Sequence, residues 1–203
     1  YAYNTTAWIL GAPKRQAQYA SDNSTLTRES LLRFDGLGYG AVPLRGDLTR
    51  KTDYLPSSQG ILAYFGYDAH GNIVNATDAL GRRTTFSYGV RDPTFTFADR
   101  ASNAKNQPAD FLYDLGTGNL LSATDANGFV VNYSYDVFGR ISMEIQPYDS
   151  VFFPTKSFDY ERDGRPPESV TVKAREVTAQ PGTNDAVTYY DGFARPFKTW
   201  KEA

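Results

Sequence analysis

No cysteine occurs in the chain, which excludes disulfide staples, thiolate metal sites and thiol nucleophiles together. The single histidine, His70, lies between Ala69 and Gly71 in a turn-like stretch. It reads as an exposed side chain, and a Ser-His-Asp triad would have no other histidine to use. No stretch approaches the roughly 18 uncharged apolar residues of a membrane helix. Residues Tyr1 to Leu10 lack the basic start and long apolar run of a signal peptide. No membrane span is expected. The first residue is Tyr1 and not methionine, which reads as a piece of a longer chain, with any export address outside it. Charge of one sign is also missing: 21 basic and 23 acidic residues give a net charge of −2. With no Lys/Arg cluster apparent, nucleic acid is not an expected partner. Nor does any window of helical length carry convincing 3.6-residue periodicity. Asn23 to Phe34 and Asp99 to Phe111 leave room for at most a short helical turn each.

What is abundant points to strands. Fifteen tyrosines and 13 phenylalanines accompany a hydrophobic content of 40%, enough apolar side chain to bury a core. Aromatic and β-branched residues suit a pleated surface, where a tyrosine ring is half buried and its hydroxyl stays wet.

The same short pattern recurs along the chain. Phe34-Asp35-Gly36-Leu37-Gly38, Tyr67-Asp68-Ala69-His70-Gly71 and Tyr135-Asp136-Val137-Phe138-Gly139 read aromatic-Asp-x-x-Gly. Tyr113-Asp114-Leu115-Gly116-Thr117-Gly118 carries one extra residue. Tyr160-Glu161-Arg162-Asp163-Gly164 has Glu for Asp, and Tyr190-Asp191-Gly192-Phe193-Ala194 has Ala for Gly. Between these lie Thr77-Asp78-Ala79-Leu80-Gly81 and Thr124-Asp125-Ala126-Asn127-Gly128, with threonine in the aromatic position. Strict Asp-x-x-Gly occurs five times, against about one or two expected by chance from this composition.

Turn chemistry explains the unit. An Asp that opens a type I turn accepts hydrogen bonds from downstream amides, and a Gly that closes it takes the left-handed conformation returning the chain to an antiparallel partner. Asp35, Gly38, Asp68, Gly71, Asp78, Gly81, Asp114, Gly118, Asp125, Gly128, Asp136, Gly139, Gly164 and Asp191 are therefore the expected turn residues. Runs of strand length separate them, Asn72 to Thr77, Asn119 to Thr124 and Phe129 to Tyr135 among them. By period two, Phe129, Val131, Tyr133 and Tyr135 share one face. Tyr54 to Gln59, Ala101 to Pro108, Gln146 to Thr155 and Thr178 to Asp185 read as longer connections. The expected fold class is all-β, tandem antiparallel hairpins in a continuous curved or spiralling ribbon, with a flank over 1–59 and the array over 60–203.

On these motifs the chain resembles the YD-repeat, or Rhs-repeat, family, whose unit is Tyr-Asp-x-x-Gly-Arg followed by a strand and Thr-Asp-x-x-Gly. The resemblance runs from Gly60 to Trp200. The N-terminal part, Trp8-Ile9-Leu10-Gly11-Ala12-Pro13-Lys14-Arg15 with Gly46-Asp47-Leu48-Thr49-Arg50, is similar to stretches of toxin-complex B and C components. The resemblance implies a β-ribbon spiralling into a hollow shell around a toxic polypeptide, in a protein that is secreted or on the cell surface. It also implies self-cleaving relatives with catalytic Asp residues in a C-terminal segment, and no equivalent of that segment is found before Ala203.

Other chemistry is weighed against turn capping. Each corner supplies one carboxylate, too few for a calcium-binding repeat, so no metal and no cofactor is expected. Asp159 with Glu161, or Asp22 with Glu29, would be needed for acid–base work, but nothing sets their separation; no catalytic residue is expected. Tyr67, Tyr113 and Tyr135 are candidates for stacking a cell-surface glycan, set against cross-strand packing. Arg82, Arg140, Arg165 and Arg195, just past corners, are expected to pair with nearby Asp residues. The reading is a non-catalytic wall whose partners are other repeats of the same chain and an enclosed polypeptide. The alternatives are a carbohydrate- or partner-binding module and a subunit that self-assembles into a filament or sheet.

Overall fold

The computed structural model describes residues 1–56, 59–161, 164 and 167–202. Every regular element among them is a β-strand, and none is a helix long and apolar enough to cross a membrane. The chain divides into two compact units, Tyr1–Pro108 and Ala109–Ala203.

In the first unit β1 (Ala2–Asn4) and β2 (Ile9–Ala12) form a small hairpin of their own. The rest is an antiparallel meander of β3 (Arg15–Tyr19), β4 (Leu26–Phe34), β5 (Leu48–Tyr54), β6 (Ile61–Tyr67), β7 (Ile73–Thr77), β8 (Arg83–Ser87) and β9 (Arg100–Ser102). Each of these strands pairs with the next in the chain. β5 pairs β6 across residue 59, so the flank and the array share one sheet. The second unit repeats the arrangement with β10 (Pro108–Tyr113), β11 (Leu120–Thr124), β12 (Val130–Tyr135), β13 (Ile141–Ile145), β14 (Lys156–Glu161), β15 (Glu168–Arg175), β16 (Thr183–Tyr190) and β17 (Pro196–Lys201).

Asn23 to Phe34 holds no helical turn, because Leu26–Phe34 is a nine-residue strand. Asp99 to Phe111 holds none either. Two strands and a tight corner fill it. In both segments cross-strand pairing outweighs a weak local preference for turning.

The sheets are thin. Along β7 and β11 every residue is half-buried, as expected where side chains touch only cross-strand and diagonal neighbours. On β12 the alternation anticipated from the sequence is visible in part: Val131, Tyr133 and Tyr135 are half-buried and Val130 and Asn132 exposed, but Phe129 is exposed and Ser134 half-buried. Ala2, Leu32, Pro43 and Ile145 are the buried apolar residues among those described. A large buried core, which the composition permits, is not what these residues build.

One irregularity recurs. Where an aromatic residue ends a strand just before a turn, two residues of the following strand oppose one of the preceding strand. Arg33 pairs Arg50 while Phe34 pairs Leu48; Gly66 pairs Asn75 while Tyr67 pairs Ile73. In the second unit the register slips in the same way at Tyr113, Tyr135 and Tyr190. No slip occurs at Thr77 or Thr124. Such a bulge bends the strand and increases its twist. The alternation of Tyr-Asp with Thr-Asp corners is thus an alternation between the two edges of each sheet, with most Tyr-Asp corners bulged, Tyr160 excepted, and both Thr-Asp corners regular. Tyr19, on the other edge, carries the same slip.

Candidate functional site

The recurring feature is the corner, and five corners share one hydrogen-bond plan. At Asp78 the amide donates to the Arg82 carbonyl (3.0 Å) and the Gly81 amide donates back to the Asp78 carbonyl (2.9 Å). Asp78 Oδ1 accepts the amides of Leu80 (3.0 Å) and Arg82 (2.9 Å). Oδ2 accepts the Arg82 guanidinium through Nε and Nη2, both 2.7 Å. Asp136 does the same with Phe138 and Arg140, and Asp191 with Phe193 and Arg195. Asp68 and Asp125 keep the two amide bonds without the arginine. The closing residue is left-handed in each: Gly71, Gly81, Gly128 and Gly139 lie between φ 76 and 87.

Asp191 closes on Ala194, whose φ is 59. An L residue with a Cβ is strained there by about 1–2 kcal/mol relative to the right-handed region. Ala194→Gly is therefore expected to stabilise the second unit by roughly 0.5–1 kcal/mol, after allowing for glycine's greater freedom in the unfolded chain. A urea-unfolding midpoint unchanged or lowered would contradict this.

Two sequence-predicted corners differ from the plan, and one lies largely outside the described residues. The extra residue after Asp114 shifts the closing bond to Gly118, whose amide reaches the Asp114 carbonyl at 2.8 Å, and Oδ1 takes Gly116 and Thr117. Asp35 and Gly38 do not form a tight corner. Asp35 is itself left-handed (φ 56), and Gly38 has no positive φ. Its carboxylate collects the amides of Leu44, Arg45, Gly46 and Asp47 from the far end of a wide loop. In the unit at Tyr160, Gly164 has φ 80, while Arg162, Asp163 and Arg165 lie outside the described residues.

Other carboxylates and amides do this work without the motif. Ala101 to Pro108, expected to be a longer connection, contains a corner built from asparagine. Asn103 Oδ1 accepts Lys105 and Gln107 amides at 2.9 and 3.1 Å, and Asn106 takes the left-handed place (φ 58). Asn-x-x-Asn was a legible signal, since asparagine tolerates that conformation best after glycine. The loop between β8 and β9 turns on two buried carboxylates. Asp99 accepts Val90, Arg91 and Asp92 amides at 2.6, 3.0 and 3.2 Å. Asp92 accepts Thr94, Thr96 and Phe97 amides and the Thr94 hydroxyl.

The tyrosines tie successive corners on one edge. Tyr67 donates its hydroxyl to the Leu48 carbonyl (3.0 Å), Tyr135 to Leu120 (2.9 Å) and Tyr160 to Ile141 (2.9 Å), the acceptor in each case opening the preceding strand. Arg140 adds a guanidinium 4.2 Å over the Tyr160 ring, and Arg45 donates to the carbonyls of Asp68 and Ala69. His70 stacks on Phe95 at 4.3 Å. Tyr113 packs near Phe111 at 6.4 Å. Tyr67 and Tyr135, candidates for glycan stacking, are part-buried and hold backbone carbonyls.

These bonds set the acid–base behaviour. The Arg82 side chain and amide hold Asp78 below the usual carboxylate value of 3.8, and Arg195 does so for Asp191. At Asp136 desolvation opposes the shift, but the Arg140 bonds prevail. Bonds from the Thr94 side chain and nearby amides bring Asp92 down to about 2, and bonds from Thr25 and Ser24 do the same for Asp22. The unfolded chain therefore takes up protons first as the pH falls. The stability these groups confer is complete above about pH 5 and lost between about pH 4 and 2. The urea midpoint should be flat from neutral pH to about 5 and then fall steeply; a flat profile down to pH 2 would contradict the assignment.

No group of three His, Cys, Asp or Glu side chains converges on a metal position among the described residues. Two depressions, about 540 Å³ beside Asp78 and about 510 Å³ beside Phe129 and Tyr148, are open and lined in part by alanines. The arrangement caps, pairs and stacks.

Comparison with known proteins agrees with this geometry. Residues 67–92 and 113–151 match the family described as RHS Repeat. Curated protein sequences give no significant match. Among solved structures, the crystal structure of TcdB2-TccC3-Cdc42 superposes with a TM-score of 0.55 at 14% identity, over 92% of this chain and 10% of that one. TcdB2-TccC3 without its hypervariable C-terminal region gives 0.48 at 11% identity, over 93% of this chain and 14% of that one. The Tc holotoxin pore of Photorhabdus luminescens gives 0.44 at 11%, over 93% and 12%. This chain spans about a tenth of the length of the first.

Proposed function

We propose, from the premise that this chain carries Rhs repeats, that it is a non-catalytic segment of a longer β-ribbon wall enclosing a polypeptide in a secreted toxin. The observation that carries the reading is the bulge that recurs along the Tyr-Asp edge, where five corners carry it and the regular pairing at Tyr160 does not. Phe34 and Tyr67 in the first unit, and Tyr113, Tyr135 and Tyr190 in the second, each insert a residue at the same edge of their sheet. A ribbon lengthened repeatedly along one edge curves, and a curved ribbon is the element from which a closed wall is wound. The chemistry of the repeat supports a passive role. Among the described residues the corner carboxylates are committed to amides and arginines, and the hydroxyls of Tyr67, Tyr135 and Tyr160 to carbonyls.

The test is the full-length parent protein. Electron cryo-microscopy should show these residues continuing into a ribbon around a volume. A protease site engineered into the enclosed segment should resist cleavage in the intact protein and be cut after acid unfolding. Separate compact domains, or immediate cleavage of the intact protein, would overturn the reading.

A further inference from the structure

The first unit carries a transverse row of cations. Strand register places Arg33 opposite Arg50, Arg50 opposite Tyr64, Tyr64 opposite Thr77 and Thr77 opposite Arg83. Residues directly opposite share a face of an antiparallel sheet, so the row crosses β4 to β8 on one side. Like charges placed opposite one another destabilise a strand pair, and acids elsewhere in these strands relieve their neighbours: Glu29 pairs Arg15, and Asp53 pairs Arg28 and Lys51. Asp53 stands opposite Ser30, three residues along from Arg50, an odd number that puts it on the other face. Among the described residues Arg33, Arg50 and Arg83 have no acidic partner. The Nε of Arg50 is buried without any hydrogen-bond acceptor, and its guanidinium lies 5.5 Å over the Tyr64 ring.

We propose that this row is a docking strip for an acidic polypeptide segment. Local charge repulsion left uncompensated in a unit that pairs Arg15, Arg28 and Lys51 with acids marks a surface completed by a ligand. Guanidinium forks select oxyanions, carboxylate among them. Four inter-strand steps of about 4.8 Å give a row of about 19 Å, the length of roughly six extended residues. Tyr64 argues for a peptide over a sugar or a nucleic acid base: one face of its ring is already covered by Arg50, so the row presents guanidinium and hydroxyl groups and not an open stacking platform. The proposal concerns one face of the first unit and stands whether or not the ribbon encloses anything.

The experiment is titration of the full chain with fluorescent poly-L-glutamate at low and high salt, read by anisotropy, with heparin and a single-stranded oligonucleotide as competitors. Salt-sensitive binding to poly-L-glutamate is expected. Arg33→Gln with Arg50→Gln should weaken it tenfold or more, Arg83→Gln a few-fold, and Arg82→Gln, whose arginine is held by Asp78, not at all. The double variant should melt no lower than the parent, since its loss relieves repulsion. Unaltered binding by the double variant, equal weakening by Arg82→Gln, preference for heparin or the oligonucleotide, or a double variant that unfolds would each overturn the assignment.

Discussion

Replacing Asp99 by alanine is expected to destabilise the first unit by about 3 kcal/mol, because each buried donor left without an acceptor costs about 1–3 kcal/mol. Asp99 is 6% exposed, and its two oxygens hold the amides of Val90, Arg91 and Asp92. Its own amide donates to Ser87 at 2.8 Å, fastening the loop to the end of β8. Asp92 is buried but Val90 and Arg91 are exposed, so water replaces part of the lost acceptor, which together with relaxation keeps the total below a full sum of three. Asp99→Asn, which keeps one acceptor, should fall between. Equilibrium urea unfolding checks both. A loss under about 1 kcal/mol for the alanine variant would show that the amides find other partners and that Asp99 does not organise the loop.

Gly89→Ala should cost about 2–3 kcal/mol at the other end of the same loop. Gly89 has φ 84, where a Cβ is strained by about 1–2 kcal/mol, and overpacking adds about 1 kcal/mol or more. A Cβ there would sit 2.4 Å from Phe95 Cε1 and 2.6 Å from Cζ. The Phe95 ring has little room to retreat, being stacked on His70, while its backbone carbonyl accepts Asn72 Nδ2 at 2.7 Å. The clash is therefore passed to the Asp68 corner. Gly71→Ala, where a Cβ meets nothing within 4 Å, isolates the conformational part and should cost less. Equal losses at the two positions would mean that the Phe95 contact is unimportant.

Much of this was legible in residue types. Strands alternating with Asp-x-x-Gly corners follow from turn chemistry that needs only neighbours in the chain. Asp78 and Gly81 sit within the five residues whose bonds they close. Asp35 reads identically yet serves amides nine to 12 residues away, because the partners of a carboxylate are chosen by where the chain returns. Asn103 and Asp92 escaped because the motif was defined by its commonest letters, whereas the physical requirement is an acceptor two residues before an amide and a tolerant left-handed position. Asp99 escaped because it serves amides seven to nine residues earlier in the chain, a pairing that only the folded loop sets.

By itself, the sequence determined the local grammar: most of the residues that turn, those that extend, and that no thiol is at hand. The tertiary structure decided what that grammar spans. It divided the corners between two edges, bulged most of the Tyr-Asp corners, sent the hydroxyls of Tyr67, Tyr135 and Tyr160 to carbonyls 15 to 19 residues away, and aligned Arg33, Arg50 and Arg83 across five strands. Register is the reason. A one-residue slip moves every side chain to the opposite face, and register is set by pairing between strands, which no single strand's sequence states.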